Sequence, residues 1–532
     1  MGDFDGTALT LADLPGRAAK AAGGRRAVLG VESSQTYAAL DESVRRAARG
    51  LTRLGLTSGD RVAVLLPNCL EYLHAFYAIP LAGCVVVPIS SFLAAPEALT
   101  ILQDSRARCL VTTRRRLGSL VGQAAALGEL RTVVLVGVEP GAPVDVCGSL
   151  RVVDWEEIAA GAPEAANAGR PGPDDVAVLT YTSGTTGRMK GVMLSHANLL
   201  ANARSCLEAV RLRDGDRLLL FLPMFHSLTQ LVCLVVPVLA RLSIVLLPGV
   251  DRAAIGAAIR RHRPTIFLGV PAIYAAMAER PPGFLARWLN PVRLYICGGA
   301  PLSSQVLRRF EDGWRRPLCE GYGLSEASPV VCFNPADGVR KPGSVGVSLP
   351  GVDVRIAGEP EGWAGTGEIG EILVRGPNVM KGYHERPEET AAALKEGWLH
   401  TGDLGRLDDE GYLFIVGRRK EMLIYRGMNV YPREIEEVLC AHEAVAEAAV
   451  VGLDDAQRGE VPHAAVVLRQ GAEIDERALR THCAAHLARY KVPRSIRLVR
   501  ELPRNSTGKV MKDRLRETFA REGAGDQPSG GS

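Results

Sequence analysis

Apolar runs of four or five residues, set between stretches with helical spacing, recur along the chain. Val62-Ala-Val-Leu-Leu66 reads as a buried strand, and Pro67-Asn68 opens a helix that runs through Tyr77. Val133 to Val136 and Val176 to Leu179 predict strands of the same kind. Helices are predicted at Ala197–Val210, where Ser195 is placed to cap, and at Ala253–Arg261. This alternation predicts an α/β fold with layered sheets in a large N-terminal part. From Gly343 to Val416 the texture changes to short strands, such as Val352–Ile356 and Glu371–Val374, punctuated by Gly and Pro. A β-rich subdomain over 343–416 follows. After Gly417 comes the charged Arg418-Arg-Lys-Glu421, then a smaller α+β pattern. The expected division is therefore 1–417, then a C-terminal domain over 418–522, with a disordered Gly/Ser-rich tail over 523–532. No internal repeat is visible.

Composition narrows the function classes. With 532 residues, 47% hydrophobic and 23% charged, the chain is ordinary globular material and not a fibrous or disordered protein. Lys and Arg number 63 against 59 Asp and Glu, a net charge of +4 with no long basic block, which excludes a dedicated nucleic-acid binder. The eleven cysteines form no CxxC pair and lie near no His cluster at zinc spacing, so they read as apolar fillers in a reduced, cytoplasmic compartment. Met1-Gly-Asp-Phe-Asp5 lacks the pattern of a signal peptide, and Gly6 stands where a myristoylation signal wants Ser or Thr. The longest apolar stretch, Leu231 to Leu247, is interrupted by Pro237 and Arg241, so no integral membrane segment is expected.

The stretch with most chemistry is Tyr181-Thr-Ser-Gly-Thr-Thr-Gly-Arg-Met-Lys-Gly191. Gly184 and Gly187 let backbone amides turn toward an anion. Thr182, Ser183, Thr185 and Thr186 add hydroxyl donors, and Lys190 adds a point charge. It is not a Walker A loop, because Lys190 is followed by Gly191 and no glycine pair has the four-residue gap. By composition alone the stretch also fits a flexible surface loop.

This stretch closely resembles the phosphate loop of the adenylate-forming enzymes: acyl-CoA synthetases, aryl-CoA ligases, peptide-synthetase adenylation domains and beetle luciferases. Met189 stands where that motif commonly has Pro, which alters stiffness more than chemistry. The resemblance runs from about residue 30 to 515 and implies that residues 182–187 and Lys190 hold the outer phosphates of ATP. Ile296–Leu302 is similar to the family's adenine-side loop, with Gly299 and Ala300 beside the base. Glu320-Gly-Tyr-Gly-Leu-Ser-Glu326 resembles its next motif. There Gly321 approaches the nucleotide, Tyr322 stacks on adenine, Ser325 contacts phosphate or substrate carboxylate, and Glu326 holds Mg²⁺, a hard cation that wants carboxylate oxygen. Gly397–Asp403 resembles the ribose motif, in which the two oxygens of Asp403 suit a vicinal diol. Arg418 falls on a second ribose contact, Lys420 on the hinge before a mobile C-terminal domain, and Arg426-Gly427 on the channel for the pantetheine arm of coenzyme A. Leu502–Lys509 resembles the loop whose lysine bridges substrate carboxylate and α-phosphate in the first half-reaction. In isolation Glu326 reads as a solvated loop carboxylate and Lys509 as a surface lysine. Their setting among ordered motifs reverses both readings.

The resemblance implies condensation of a carboxylic acid with ATP to an acyl-adenylate, then thiol attack. Pro223-Met-Phe-His-Ser227 is similar to the acyl-entrance motif, with His226 beside the carboxylate; a hydrogen-bonded core histidine is the competing reading. Amino-acid adenylation domains carry Asp here to pair the α-ammonium, so an amino-acid substrate is disfavoured. Gly299, Gly323 and Gly346 complete the acyl pocket by resemblance. The aliphatic wall from Leu228 to Leu247 points to a medium- or long-chain fatty acid, with aryl acids as the alternative. Coenzyme A is the expected acceptor, since no inserted segment lies between Gly351 and Gly376, and an acyl carrier protein is the runner-up. Lys190, Glu326 and Lys509 together argue against a non-catalytic scaffold, and acid-dependent AMP would separate this reading from a generic NTPase. Nothing in the sequence favours a luciferase-type oxygenase.

Overall fold

Strands Arg61–Leu65, Val85–Pro88, Cys109–Thr113, Thr132–Val136 and Arg151–Asp154 pair in parallel, and the apolar runs of the inner strands suit a sheet covered on both faces. The computed structural model describes residues 9–30, 34–121, 128–137, 150–160, 170–183, 189–358, 362–455, 457–504 and 510–523. Within these residues the parallel strands belong to an eight-stranded sheet. Its other edge is the antiparallel hairpin Val176–Ser183 with Met189–Ser195, followed by Gly382–Tyr383. The strand expected to end at Leu179 thus continues through Tyr181 and Thr182, so the described ends of the phosphate-loop stretch are strand residues of this hairpin, and residues 184–188 lie outside the described residues. Ser195 caps the next helix, His196–Ala209, by accepting from the Asn198 amide at 3.1 Å.

A second, nine-stranded sheet is built on Arg217–Leu220, Ser243–Leu246, Ile266–Gly269, Leu294–Cys297 and Leu318–Gly323. Its strands alternate, and the two faces do different work. Phe221, Phe267 and Tyr295 point to one side, where they pack with Tyr274, Phe310 and Trp314 at ring separations of 5.0–6.0 Å. Leu218, Ile266 and Leu294 are in register across neighbouring strands and point to the other side.

The aliphatic segment after His226 forms a helix, Ser227–Thr229, a π-helical turn, Gln230–Val235, and a further helix, Val236–Ala240, ended by Arg241 in the left-handed conformation. Between 353 and 418 a five-stranded antiparallel sheet is formed by Asp353–Ile356, Gly370–Arg375, Leu394–Lys395, Trp398–Leu407 and Leu413–Arg418. Beyond it, strands Leu423–Tyr425, Met428–Val430, Val445–Asp455, Gly459–Leu468 and Ile496–Val499 make a fourth sheet. That sheet has its own apolar clusters, one around Ile435, Leu439, Val466 and Leu479 and one around Val451, Leu515 and Phe519. Among the described residues no helix is long and apolar enough to cross a membrane.

Candidate active site

One cavity of about 1950 Å³ opens where the two large sheets, the five-stranded sheet and the C-terminal unit meet. Its mouth is polar. Tyr181, Thr182 and Lys190 reach it from the hairpin, Gly298 and Gly299 from the end of strand Leu294–Cys297, and Gly321 to Glu326 from the end of strand Leu318–Gly323. Thr401 to Asp403 and Arg418 to Glu421 enter from the five-stranded sheet, and Val450 to Gly452, Arg504 and Val510 to Arg514 from the C-terminal unit.

Two carboxylates organise the mouth. Asp403 is buried; its Oδ2 accepts from the Tyr322 hydroxyl at 2.7 Å and its Oδ1 faces Arg418 Nε at 3.0 Å. Burial, reinforced by Asp403, holds the Tyr322 phenol well above its usual range, so it stays a donor. Glu326 accepts from the Tyr383 hydroxyl at 3.0 Å, and burial raises its carboxyl pKa. A desolvated carboxylate whose direct partner is a neutral phenol is a suitable ligand for a hard cation. Lys190 pairs with Glu389 and lies 5.1 Å from the centroid of the Tyr383 ring. Behind it, Tyr181 donates to Asp104 at 2.7 Å, and Arg386 bonds the other oxygen of Asp104 at 3.1 Å. Ser325 Oγ lies 3.1 Å from Ser227 Oγ, which ties the nucleotide-side motif to the entrance helix. His226 sits beside Phe225 on the cavity wall, and burial lowers its pKa, which keeps the imidazole neutral near pH 7.

From this mouth an arm runs inward along the face of the nine-stranded sheet opposite its aromatic packing. Leu218, Ile266, Leu294 and Ile296 form one wall; Cys206, Val210, Leu212, Leu228, Val232, Val236 and Leu242 form the other. The four-residue step from Gly298 back to Leu294 gives this arm a depth of roughly 13 Å at strand rise. A Cβ on Gly298 would meet Leu228 at 3.1 Å, so the glycine keeps the passage open where the arm leaves the mouth.

The cavity brings together Thr182, Lys190, His226, Gly299, Gly321, Tyr322, Gly323, Ser325, Glu326, Asp403, Arg418 and Lys420. Ala300 and Gly346 are not in its lining. Gly346 has φ +90°, and a Cβ there would stand 2.1 Å from the Phe333 backbone, so it seats Phe333, which does line the cavity. Arg426 and Gly427 form the tight turn of the Leu423–Val430 hairpin, both at positive φ, away from the cavity. Gly184, Thr185, Thr186, Gly187 and Lys509 lie outside the described residues, as does the side chain of Ser183. Arg504 and Val510, on either side of the stretch containing Lys509, line the cavity. Sequence reasoning missed Tyr383, Glu389, Asp104 and Ser227. Only Ser227 carried a signal, through its place in the entrance motif. Lys512 was also missed. It faces Glu436 at 2.8 Å and Glu421 at 3.0 Å; burial pulls its pKa down, but the two carboxylates outweigh it and the net shift is upward.

The site thus combines a polar mouth with glycine-bordered strand ends, a carboxylate held by a phenol, and an apolar arm. Comparisons with known proteins agree. The family model described as AMP-binding enzyme matches residues 16–384, and that of the AMP-binding enzyme C-terminal domain matches residues 434–509. A feruloyl-CoA synthase of Amycolatopsis sp is 38% identical over 91% of this chain and 94% of its own. A long-chain-fatty-acid–CoA ligase of Bacillus subtilis is 36% identical over 87% and 86%. The ATP-bound structure of MatB from Rhodopseudomonas palustris superposes with a TM-score of 0.86 at 34% identity, covering 96% of this chain and 99% of that one. The chain belongs to the family of AMP-binding enzymes. Within it, the chain is an AMP-forming acid–thiol ligase, which activates a carboxylic acid with ATP and passes the acyl group to coenzyme A.

Proposed function

We propose that the acid is a medium- or long-chain aliphatic acid. The observation that carries this is the arm itself, whose two walls from Cys206 to Leu294 present no charged side chain. An alkyl chain there exchanges water for Leu, Ile and Val at about 25 cal/mol per Å². An aryl acid is the second reading, favoured by the feruloyl-CoA synthase relative.

In this reading the carboxylate rests at the mouth near His226 and Ser325, with the chain in the arm. Neutral His226 adds no positive charge that would blunt the nucleophile. Asp403 takes the ribose hydroxyls, held in place by Tyr322 and Arg418, and Lys190 leaves Glu389 for the outer phosphates. Glu326 would hold Mg²⁺, which supplies charge neutralisation on the phosphates when bound. Lys509 balances charge between carboxylate and α-phosphate by its resemblance to the family lysine. The division 1–417 and 418–522 fits two poses, with the C-terminal unit moving about Lys420 to bring Arg426 and Gly427 to the site for coenzyme A.

Product mass spectrometry tests this: MgATP with acids from acetate to palmitate, plus benzoate and ferulate, with and without coenzyme A. AMP and acyl-CoA rising with chain length are expected. Preference for the aryl acids transfers the reading to that class, and adenylate that never becomes acyl-CoA points to a carrier protein.

A further inference from the structure

Between the Pro271–Glu279 helix and strand Leu294–Cys297 the chain makes a surface excursion that contains the six-residue helix Phe284–Leu289. None of its residues is buried. Phe284, Leu285, Trp288 and Leu289 are 77%, 65%, 73% and 51% exposed, and no other short run of the described residues concentrates so much exposed apolar side chain. The helix is fixed from behind. Arg287 donates to the Gly313 carbonyl at 3.3 Å, and Pro281 packs so close to Gly313 that a Cβ there would meet it at 2.8 Å. The space beneath is filled, since Phe310 and Trp314 stack at 5.5 Å and the Trp314 indole donates to the Met277 carbonyl at 3.0 Å. The apolar side chains therefore have no inward place to go.

The rim is basic. Residues 280–293 hold Arg280, Arg287 and Arg293 and no acidic residue, and Arg315 and Arg316 follow directly after Gly313-Trp314. Arg293 is committed to Asp216, while Arg280 and Arg315 are exposed. Of the nearby acids, Glu279 faces Arg469 at 3.6 Å and Glu311 faces Arg340 at 3.5 Å; Asp312 is exposed.

We propose that the Phe284–Leu289 helix attaches the enzyme to an anionic lipid surface. Phe284, Leu285, Trp288 and Leu289 enter the boundary between headgroups and acyl chains, and Arg280 and Arg315 face lipid phosphates. Aromatic and aliphatic anchors collared by arginine are the chemistry of an in-plane membrane contact. No residue of 281–293 lines the cavity, so this surface is separate from the ligase site and does not depend on which acid the enzyme takes.

Co-sedimentation of the full chain with vesicles tests it, comparing phosphatidylcholine alone with phosphatidylcholine rich in phosphatidylglycerol. The wild type is expected to pellet with the anionic vesicles and to be released by salt. Phe284→Ser/Trp288→Ser should lower the bound fraction about tenfold, with ligase turnover of a water-soluble acid unchanged in the absence of vesicles. Arg280→Gln/Arg315→Gln should weaken binding about fivefold per arginine and leave the phosphatidylcholine control unaltered. Wild type that stays in the supernatant, or variants that pellet equally, overturns the proposal. So does a concentration-dependent dimer that the serine variant abolishes, because a second copy would then be the occupant.

Discussion

The Tyr322 hydroxyl lies 2.7 Å from Asp403 Oδ2, a contact between residues 81 positions apart that joins the nine-stranded sheet to the five-stranded one at the floor of the mouth. Because the phenol is held protonated, it fixes the carboxylate without competing for protons with whatever the carboxylate binds.

Tyr322→Phe should therefore loosen Asp403 while leaving its charge. KM for ATP is expected to rise about tenfold or more, the worth of one hydrogen bond to a charged group, with a smaller change in kcat. Steady-state kinetics with ATP varied would show it. An unchanged KM would remove Asp403 from the nucleotide site.

Glu326→Gln keeps the shape of the side chain but loses the anion. Acid-dependent pyrophosphate release should fall about a hundredfold or more, with partial recovery as Mg²⁺ is raised. Tyr383→Phe should cost less, about tenfold, since the carboxylate remains. A Glu326→Gln enzyme with normal Mg²⁺ dependence would contradict the metal role.

Val232 stands on the arm wall opposite the sheet. Val232→Trp should cut kcat/KM for long acids by about 10- to 100-fold and spare short ones, because an indole blocks the depth that only a long chain uses. A uniform loss across the acid series would place the chain elsewhere.

Lys512 joins Glu421, next to the proposed hinge residue Lys420, to Glu436 on the Pro432–Ala441 helix. Lys512→Met should leave these carboxylates facing each other across the linker and slow adenylate formation about tenfold. The thioester step from supplied acyl-adenylate should change less. Rapid-quench measurement of each half-reaction separates the two, and equal loss in both would deny Lys512 a role in the pose.

Glu320 carries a pH signature. Burial pushes its carboxyl up to about 7, with Arg433 pulling the other way, whereas an unfolded Glu titrates near 4.5. The folded state thus holds the extra proton between these values, so its contribution is full below pH 4.5 and is lost as pH rises to about 7. The slope in that window is about 1.4 kcal/mol per pH unit. Denaturant midpoints for wild type and Glu320→Gln should diverge across this window, the variant being flatter. Parallel curves would show that Glu320 does not titrate there.

Much of this architecture was legible because it is local. Ser195 was placed as a cap and caps a helix that starts at His196, one residue before the predicted start. The motifs around Lys190, Glu326 and Asp403 could be read because glycines and polar residues cluster within a few positions of each other, and the fold brings all three to one cavity. Tyr383 and Glu389 were not legible. Each meets its partner only when the chain after Arg375 folds back on the Val176–Ser195 hairpin, and neither stands in a pattern that distinguishes it from a surface residue. The π-helical turn at Gln230–Val235 was equally hidden, since its apolar run fits an α-helix as well.

The two-sided character of the nine-stranded sheet bears on how such an enzyme can change. The aromatic lattice of Phe267, Tyr295 and Phe310 anchors the strands from behind, whereas Leu218, Ile266 and Leu294 line the arm. Substitutions on the cavity face can alter girth and depth without disturbing the foundation. A lineage could therefore diversify its acids by swapping alternate residues on adjacent strands, with the adenylating apparatus inherited intact.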